Sequence, residues 1–281
     1  MTQGSTVREV RTLVTGRGLI EAPRWHDGTV YFSDWDAGEV LALDPASGET
    51  WVHARVPSFP LCSTVGADGR LLVVDSPGRR VLRREPDGTL APYADLSSVA
   101  VPMWNDVVAD AAGNVYVNGA DFETGASAVA HVGPDGTVHA VADGIRFPNG
   151  MAVTSDGGTL LVADSYGQEI LGFTIGADGA LSGRHTWAAV PEHPDGICVD
   201  AEGALWFADV GTGRCVRVAE GGEVLDEVVA DRGCFACVLG GPLRSTLYIT
   251  AARWLGWEQG VEPGTGTLLA VDVDVPGAGW P

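Results

Sequence analysis

A short turn ending in Gly, a strand of four or five apolar residues and a closing Asp recur along the chain. The unit reads His26-Asp27-Gly28 then Val30-Tyr31-Phe32-Ser33-Asp34, and Asp68-Gly69 then Leu71-Leu72-Val73-Val74-Asp75. It returns as Ala112-Gly113 with Val115-Tyr116-Val117, as Asp156-Gly157-Gly158 with Leu160-Leu161-Val162-Ala163-Asp164, and as Glu202-Gly203 with Leu205-Trp206-Phe207-Ala208-Asp209. A weaker sixth copy is Arg244-Ser245-Thr246 with Leu247-Tyr248-Ile249. The copies are 41 to 46 residues apart, and each continues into further short strands with tight turns such as Pro86-Asp87-Gly88 and Pro134-Asp135-Gly136. Four short strands in a period of roughly 40–45 residues build one propeller blade. Six copies therefore predict an all-β, six-bladed β-propeller covering residues 1–281 as one domain, and no segment carries a sustained helical period. The segment Val7 to Leu13 is a strand left over at the N-terminus, while the last copy lacks an outer strand. The first is expected to fill the second and so close the ring over an open sheet edge.

Charge and cysteine usage narrow the function. The chain carries 37 acidic against 17 basic residues, all of the latter Arg, for a net charge of −20. That field repels phosphate backbones and anionic lipid, so neither nucleic acid nor a membrane surface is an expected partner, and a small-molecule substrate is. The five cysteines include the pair Cys234 and Cys237, but no second pair completes a zinc site and no βαβ context makes a redox motif, so they read as buried thiols. Residues 1–17 lack the apolar core of a signal peptide, and no apolar run approaches a membrane span. A soluble cytoplasmic protein is the expectation; the oligomeric state is not legible.

In a propeller the innermost strand of each blade lines the central channel, so one register in every repeat converges on the axis. Counting back seven or eight residues from each Gly turn gives Glu21, Asn105, Asn149 and Asp195, with Leu61 in blade two and Ala236 or Cys237 in blade six. Asn-Gly and Asp-Gly are turn dipeptides in their own right, but four oxygen-bearing side chains at one register point to a shared site. Two carboxylates and two amides without His or Cys make an all-oxygen set, suited to one divalent metal ion: Ca²⁺ first, with Zn²⁺, Mn²⁺ or Mg²⁺ open. Asp34, Asp75, Asp164 and Asp209 form a second equivalent set, expected to bond turn backbone.

Phe147-Pro148-Asn149-Gly150-Met151-Ala152, Pro194-Asp195-Gly196 and Cys237-Val238-Leu239-Gly240-Gly241 resemble the senescence marker protein 30 (regucalcin)/gluconolactonase/luciferin-regenerating enzyme family, from about Ile20 to Val273. The resemblance implies a six-bladed propeller with one metal in its channel, ligated by Glu21, Asn149 and Asp195, and with Asn105 contacting metal-bound water or substrate. It implies metal-dependent hydrolysis of a lactone or similar ester, with Asp195 as ligand and general base and Asn105 assisting. Glu192 and His193 beside Asp195 are candidates for tuning it.

The sequence departs from that family at Ala22, where Glu-Gly-Pro reads Glu21-Ala22-Pro23, and at Met103, where sugar lactonases carry an Arg. Met103 and Trp104 are read as an apolar wall of the substrate site, with Asn105 and Glu123 as its polar contacts, so sugar lactones are not the expected optimum. Trp104, Phe122, Phe147, Tyr166, Trp254 and Trp257 are candidate rim residues, and residues 253–266 a candidate lid. Two other readings stay open: a biosynthetic isomerase or cyclase using the same metal, and a non-catalytic propeller binding protein. A WD-repeat scaffold is disfavoured, since Trp-Asp occurs once, at Trp35-Asp36. No GxSxG elbow supports a serine hydrolase.

Overall fold

A computed structural model of the chain describes residues 8–279. They form six four-stranded antiparallel sheets and no helix. Blades one to five each run outward in chain order, beginning at the innermost strands Ile20–His26, Leu61–Val65, Met103–Ala109, Pro148–Val153 and Pro194–Val199. Blade six takes three strands from the C-terminal part, Gly233–Gly240, Thr246–Ala252 and Gly266–Asp272, and its outermost strand from the N-terminus. That strand is Arg11–Arg17, four residues later than the sequence pattern placed it, and Val7 lies outside the described residues. It pairs antiparallel with Gly266–Asp272. Arg11 adds a two-pronged contact to Asp272 at 2.8 and 2.9 Å.

The innermost strands contact one another in a closed ring, each blade touching the next and blade six touching blade one. Apolar side chains fill every junction. Trp104, Val107 and Val117 pack on Leu72 and Val74 between blades two and three, and Ile20, Phe32 and Leu41 pack on Tyr248 and Leu268 between blades six and one. Inner and middle strands are sandwiched between two neighbouring blades, so middle strands such as Leu71–Asp75 and Leu205–Asp209 are buried along their whole length. This is why the sequence shows apolar runs where a one-faced sheet would alternate.

The closing Asp of each repeat ties turn backbone, as the pattern implied. Asp34 Oδ1 accepts from Ala37 N, and Asp75 Oδ1 from Gly78 N. Asp164 accepts from the backbone of Arg146, Phe147 and Gly167, and Asp209 from His193 and Thr212. The last two reach back to the connection that leads into the channel strand of their own blade. They therefore fix where Asn149 and Asp195 begin.

Candidate functional site

A propeller's innermost strand would present alternate side chains to its two neighbouring blades and none squarely to the axis. The chain solves this with bulges. The ladder between the first and second strands slips between Glu21 and Arg24, Trp104 and Asp106, Pro148 and Met151, Pro194 and Ile197, and Cys234 and Ala236. A bulge puts extra residues opposite the partner strand and re-aims a side chain. Asn105, Asn149 and Asp195 sit inside the slips, and Glu21 borders one. Blade two has no slip, and its Leu61–Val65 strand sends no polar group to the site.

The Gly residues after Asn149 and Asp195 are not turn formers. Neither has a left-handed backbone, and both lie within strands. They permit close approach: a Cβ on Gly150 would meet the Asp195 carbonyl oxygen at 2.6 Å, and one on Gly196 would meet Ala236 Cβ at 2.2 Å. Ala22, by contrast, holds φ 50°, a conformation that costs a non-glycine residue about 1–2 kcal/mol.

Glu21, Asn105, Asn149 and Asp195 line one cavity of about 170 Å³, together with Trp35, Phe147, Ser165, His193, Phe235, Trp254 and Trp257. Asn105 Nδ2 donates to Asn149 Oδ1 at 3.0 Å, and Asn149 Nδ2 to Ser165 Oγ at 3.3 Å. Ser165 Oγ donates in turn to Pro194 O at 2.7 Å, linking blades four and five. Asn118 bonds the Asn149 carbonyl oxygen through Nδ2 and receives Asp106 N through Oδ1. Below this ring lies a buried ion pair. Arg24 Nη2 donates to Asp106 Oδ1 at 2.8 Å, and Met151 N donates to Asp106 Oδ2 at 2.8 Å.

The electrostatics are those of crowded buried acids. Burial pushes the Glu21 carboxyl well above its ordinary range, the fields of Asp195 and Asp106 push it further, and Arg24 partly opposes them. Burial likewise drives Asp195 well upward, reinforced by Asp106 and Asp209 and opposed by the Asn149 side chain. Asp195 Oδ1 is buried with no hydrogen-bond partner among the described residues. An ionised oxygen in that state is costly unless a cation or a proton meets it. Three carboxylates against the one guanidinium of Arg24 leave a shortage of positive charge that a divalent ion would supply. Among the described residues no three His, Cys, Asp or Glu side chains are grouped to hold a metal. The cluster instead combines two carboxylates with amide oxygens, a donor set of the kind hard divalent ions accept.

Several expectations shift. Trp104 is fully buried in the junction between blades two and three, so it is core and not cavity wall. The bulge at Asn105 explains this, because the residue before it keeps the strand's sideways direction. Met103 is half-buried beside it and pairs with Ala120, and it does not line the cavity. Glu123 is exposed on the turn at Asp121, which accepts its backbone N–H, and it too lies outside the cavity lining. Glu192 is held by Arg214 at 2.9 Å, and only His193 of that pair reaches the cavity. Its Nδ1 donates to Ser165 O at 2.9 Å. Blade six contributes Phe235, not Ala236 or Cys237, because the slip falls one residue earlier than the count assumed. All five cysteines are free thiols.

The segment 253–266 folds back on itself through the bridge of Trp254 with Val261 and the Arg253–Glu262 ion pair at 2.9 Å. It carries Trp254 and Trp257 to the cavity. The opposite end of the channel narrows to a void of about 30 Å³ beside Arg24 and Cys237, too small for an organic substrate. Residues 277 and 278 close that side, with Gly277 N donating to Arg244 O and Ala278 N to Val199 O.

This arrangement is a one-mouthed propeller with an acid–amide cluster at the base of its cavity. Residues 19–253 match the family described as SMP-30/Gluconolactonase/LRE-like region, and the chain belongs to it. It is 29% identical to the pentonolactonase XacC of Haloferax volcanii over 95% of both chains. It superposes on a luciferin-regenerating enzyme with a TM-score of 0.83 at 21% identity, covering 96% of this chain and 97% of that one. A gluconolactonase of Xanthomonas campestris superposes with a TM-score of 0.78 at 26% identity, over 95% and 89%. No helix of the described residues is long and apolar enough to cross a membrane.

Proposed function

We propose that the chain is a divalent-metal-dependent hydrolase of lactones or similar esters, with substrates less hydroxylated than sugar lactones. The observation that carries the reading is Asp195 Oδ1, a buried acceptor without a partner, in a cavity shared with Glu21, Asn105 and Asn149. Glu21, Asn149 and Asp195 would hold the ion, Ca²⁺ first on donor hardness. When bound, such an ion polarises a carbonyl and eases deprotonation of water. The chain's own groups do the rest. Asp195 takes the proton of the attacking water and returns it to the departing ring oxygen as the carbonyl C–O bond breaks, giving a hydroxy acid. Asn105 sits within hydrogen-bond reach of Asn149 and holds the amide at the base in place.

Named relatives act on sugar lactones, and two features of this chain point elsewhere. Where sugar lactonases carry Arg stands Met103, half-buried and outside the cavity lining, so no guanidinium enters from that position. Among the described residues the cavity lining contains no Lys or Arg, and its walls are Trp35, Phe147, Phe235, Trp254 and Trp257. Each charge-assisted hydrogen bond a sugar hydroxyl forgoes is worth about 1.5–3 kcal/mol, roughly one to two decades in specificity. A panel of aliphatic, aromatic and sugar lactones tests the reading with the wild type, Asp195→Asn and Met103→Arg. Aliphatic or aromatic lactones are expected to be the best substrates, Asp195→Asn to be nearly inactive, and Met103→Arg to shift preference toward gluconolactone. Gluconolactone as best wild-type substrate would overturn the specificity. Full activity in Asp195→Asn, or no turnover of any lactone or ester, would overturn the mechanism.

A further inference from the structure

Six aromatic side chains from three blades touch in sequence along one side of the cavity mouth. Phe122 meets Phe147 with ring centroids 5.1 Å apart, and Phe147 stacks on Tyr166 at 5.0 Å. Tyr166 meets Trp257 edge-on at 6.2 Å, Trp257 meets Trp254 at 5.3 Å, and Trp254 meets Phe235 at 6.2 Å. The chain of rings starts inside the cavity, at Phe235 and Trp254, and ends in solvent. Trp257 is 69% exposed, Phe122 61% and Tyr166 44%. A contiguous exposed aromatic patch is uncommon on a soluble protein and marks a binding surface. This one is continuous with the acid–amide cluster, so whatever covers it is the remainder of the molecule whose carbonyl is processed below. Edge-on and offset contacts of this kind favour a further ring over a flexible alkyl chain. The chain's net charge of −20 and the lack of any Lys or Arg in the cavity lining favour an uncharged ring on the arc.

We propose that the arc is a subsite for an aromatic ring, so that the preferred substrates are aryl-bearing lactones or esters. This rests on the hydrolase reading and names its substrate class. The test compares γ-phenyl-γ-butyrolactone with γ-methyl-γ-butyrolactone, which share the reacting ring. The phenyl compound should have a kcat/KM at least about tenfold higher, with the gain carried mainly in KM. Trp257→Ala and Tyr166→Ala should each cost the phenyl compound several-fold more than the methyl one. Equal kcat/KM for the pair in the wild type, or equal losses in both variants, would overturn the arc while leaving the hydrolase reading intact. The corresponding γ-lactams, bound in a tryptophan-fluorescence titration, give a readout independent of turnover. If no lactone reacts, tighter binding of the phenyl lactam that Trp257→Ala abolishes still supports the arc, and equal binding of the two lactams overturns it.

Discussion

In blade two the innermost strand, Leu61–Val65, pairs residue by residue with Leu71–Asp75, whereas in blade five the ladder slips between Pro194 and Ile197. Both strands are buried on both sides by neighbouring blades. Blade two spends its side chains on the junctions: Leu61 packs toward blade one and Cys62 toward blade three. Blade five gives up one place in the ladder, and Asp195 turns to the axis. The cost is local and visible, in Gly196 pressed against Ala236 and in a carboxylate oxygen left without a partner. Propeller geometry supplies six strands around a channel. The bulge decides which of them turn a side chain to the cavity.

The largest effect should come from the slipped strand. Asp195→Asn keeps the shape and removes both a charge and a base, and a loss of about 10²–10⁴ in kcat is expected from steady-state lactone hydrolysis. A loss below tenfold would mean that the bulge aims a bystander.

The floor beneath the slips comes next. Arg24→Met leaves Asp106 buried without its partner, and such a break costs about 3–5 kcal/mol. Denaturant unfolding should show it. A change under 1 kcal/mol would separate the floor from the stability of the ring.

Gly196→Ala and Ser63→Ala set the two blades directly against each other. In blade five the added methyl has no room beside Ala236, and overpacking of this kind costs about 1–3 kcal/mol. In blade two, Ser63 Oγ is buried without a partner, so its removal should be neutral or stabilising. Differential scanning calorimetry on both variants reads the contrast, and equal destabilisation would erase it.

Proton linkage gives the smallest and most graded effect. In the metal-free protein the Glu21 and Asp195 carboxyls titrate above their unfolded values. Their protonated forms favour the folded state, so their contribution is full below the unfolded carboxylate range and is lost as pH rises through the raised folded values. Metal-free protein should therefore lose stability through that window, and Asp195→Asn should flatten the slope. Metal affinity should run the other way and rise with pH, because the ligands must shed protons. A slope unchanged in Asp195→Asn would contradict the assignment.

How far the sequence alone reaches follows from the same comparison. The blades were legible because Gly turns and closing Asp residues are local chemistry, repeated with every copy, and Asp164 and Asp209 hold backbone as their position implied. That Glu21, Asn105, Asn149 and Asp195 would meet in one cavity was legible because polar residues stand out in otherwise apolar strands. Trp104 and Phe235 were not, since a slip of one residue exchanges channel for junction, and its place depends on hydrogen bonds rather than residue type. The N-terminal strand was found but placed four residues early, where its polar surroundings give no boundary. Met103 and Trp104 suggested an apolar wall. The cavity does have one: Phe147, Trp254 and Trp257 stand in it as the loop aromatics implied, joined by Trp35 and Phe235, whose convergence from separate blades has no sequence period.

The most direct test of the central claim is a calorimetric titration of metal-stripped protein with Ca²⁺ and Mn²⁺, repeated on Asp195→Asn and Glu21→Gln. One site per chain is expected in the wild type, with affinity reduced by at least about tenfold in either variant. No binding of any divalent ion to the wild type, or binding that both variants leave untouched, would contradict it.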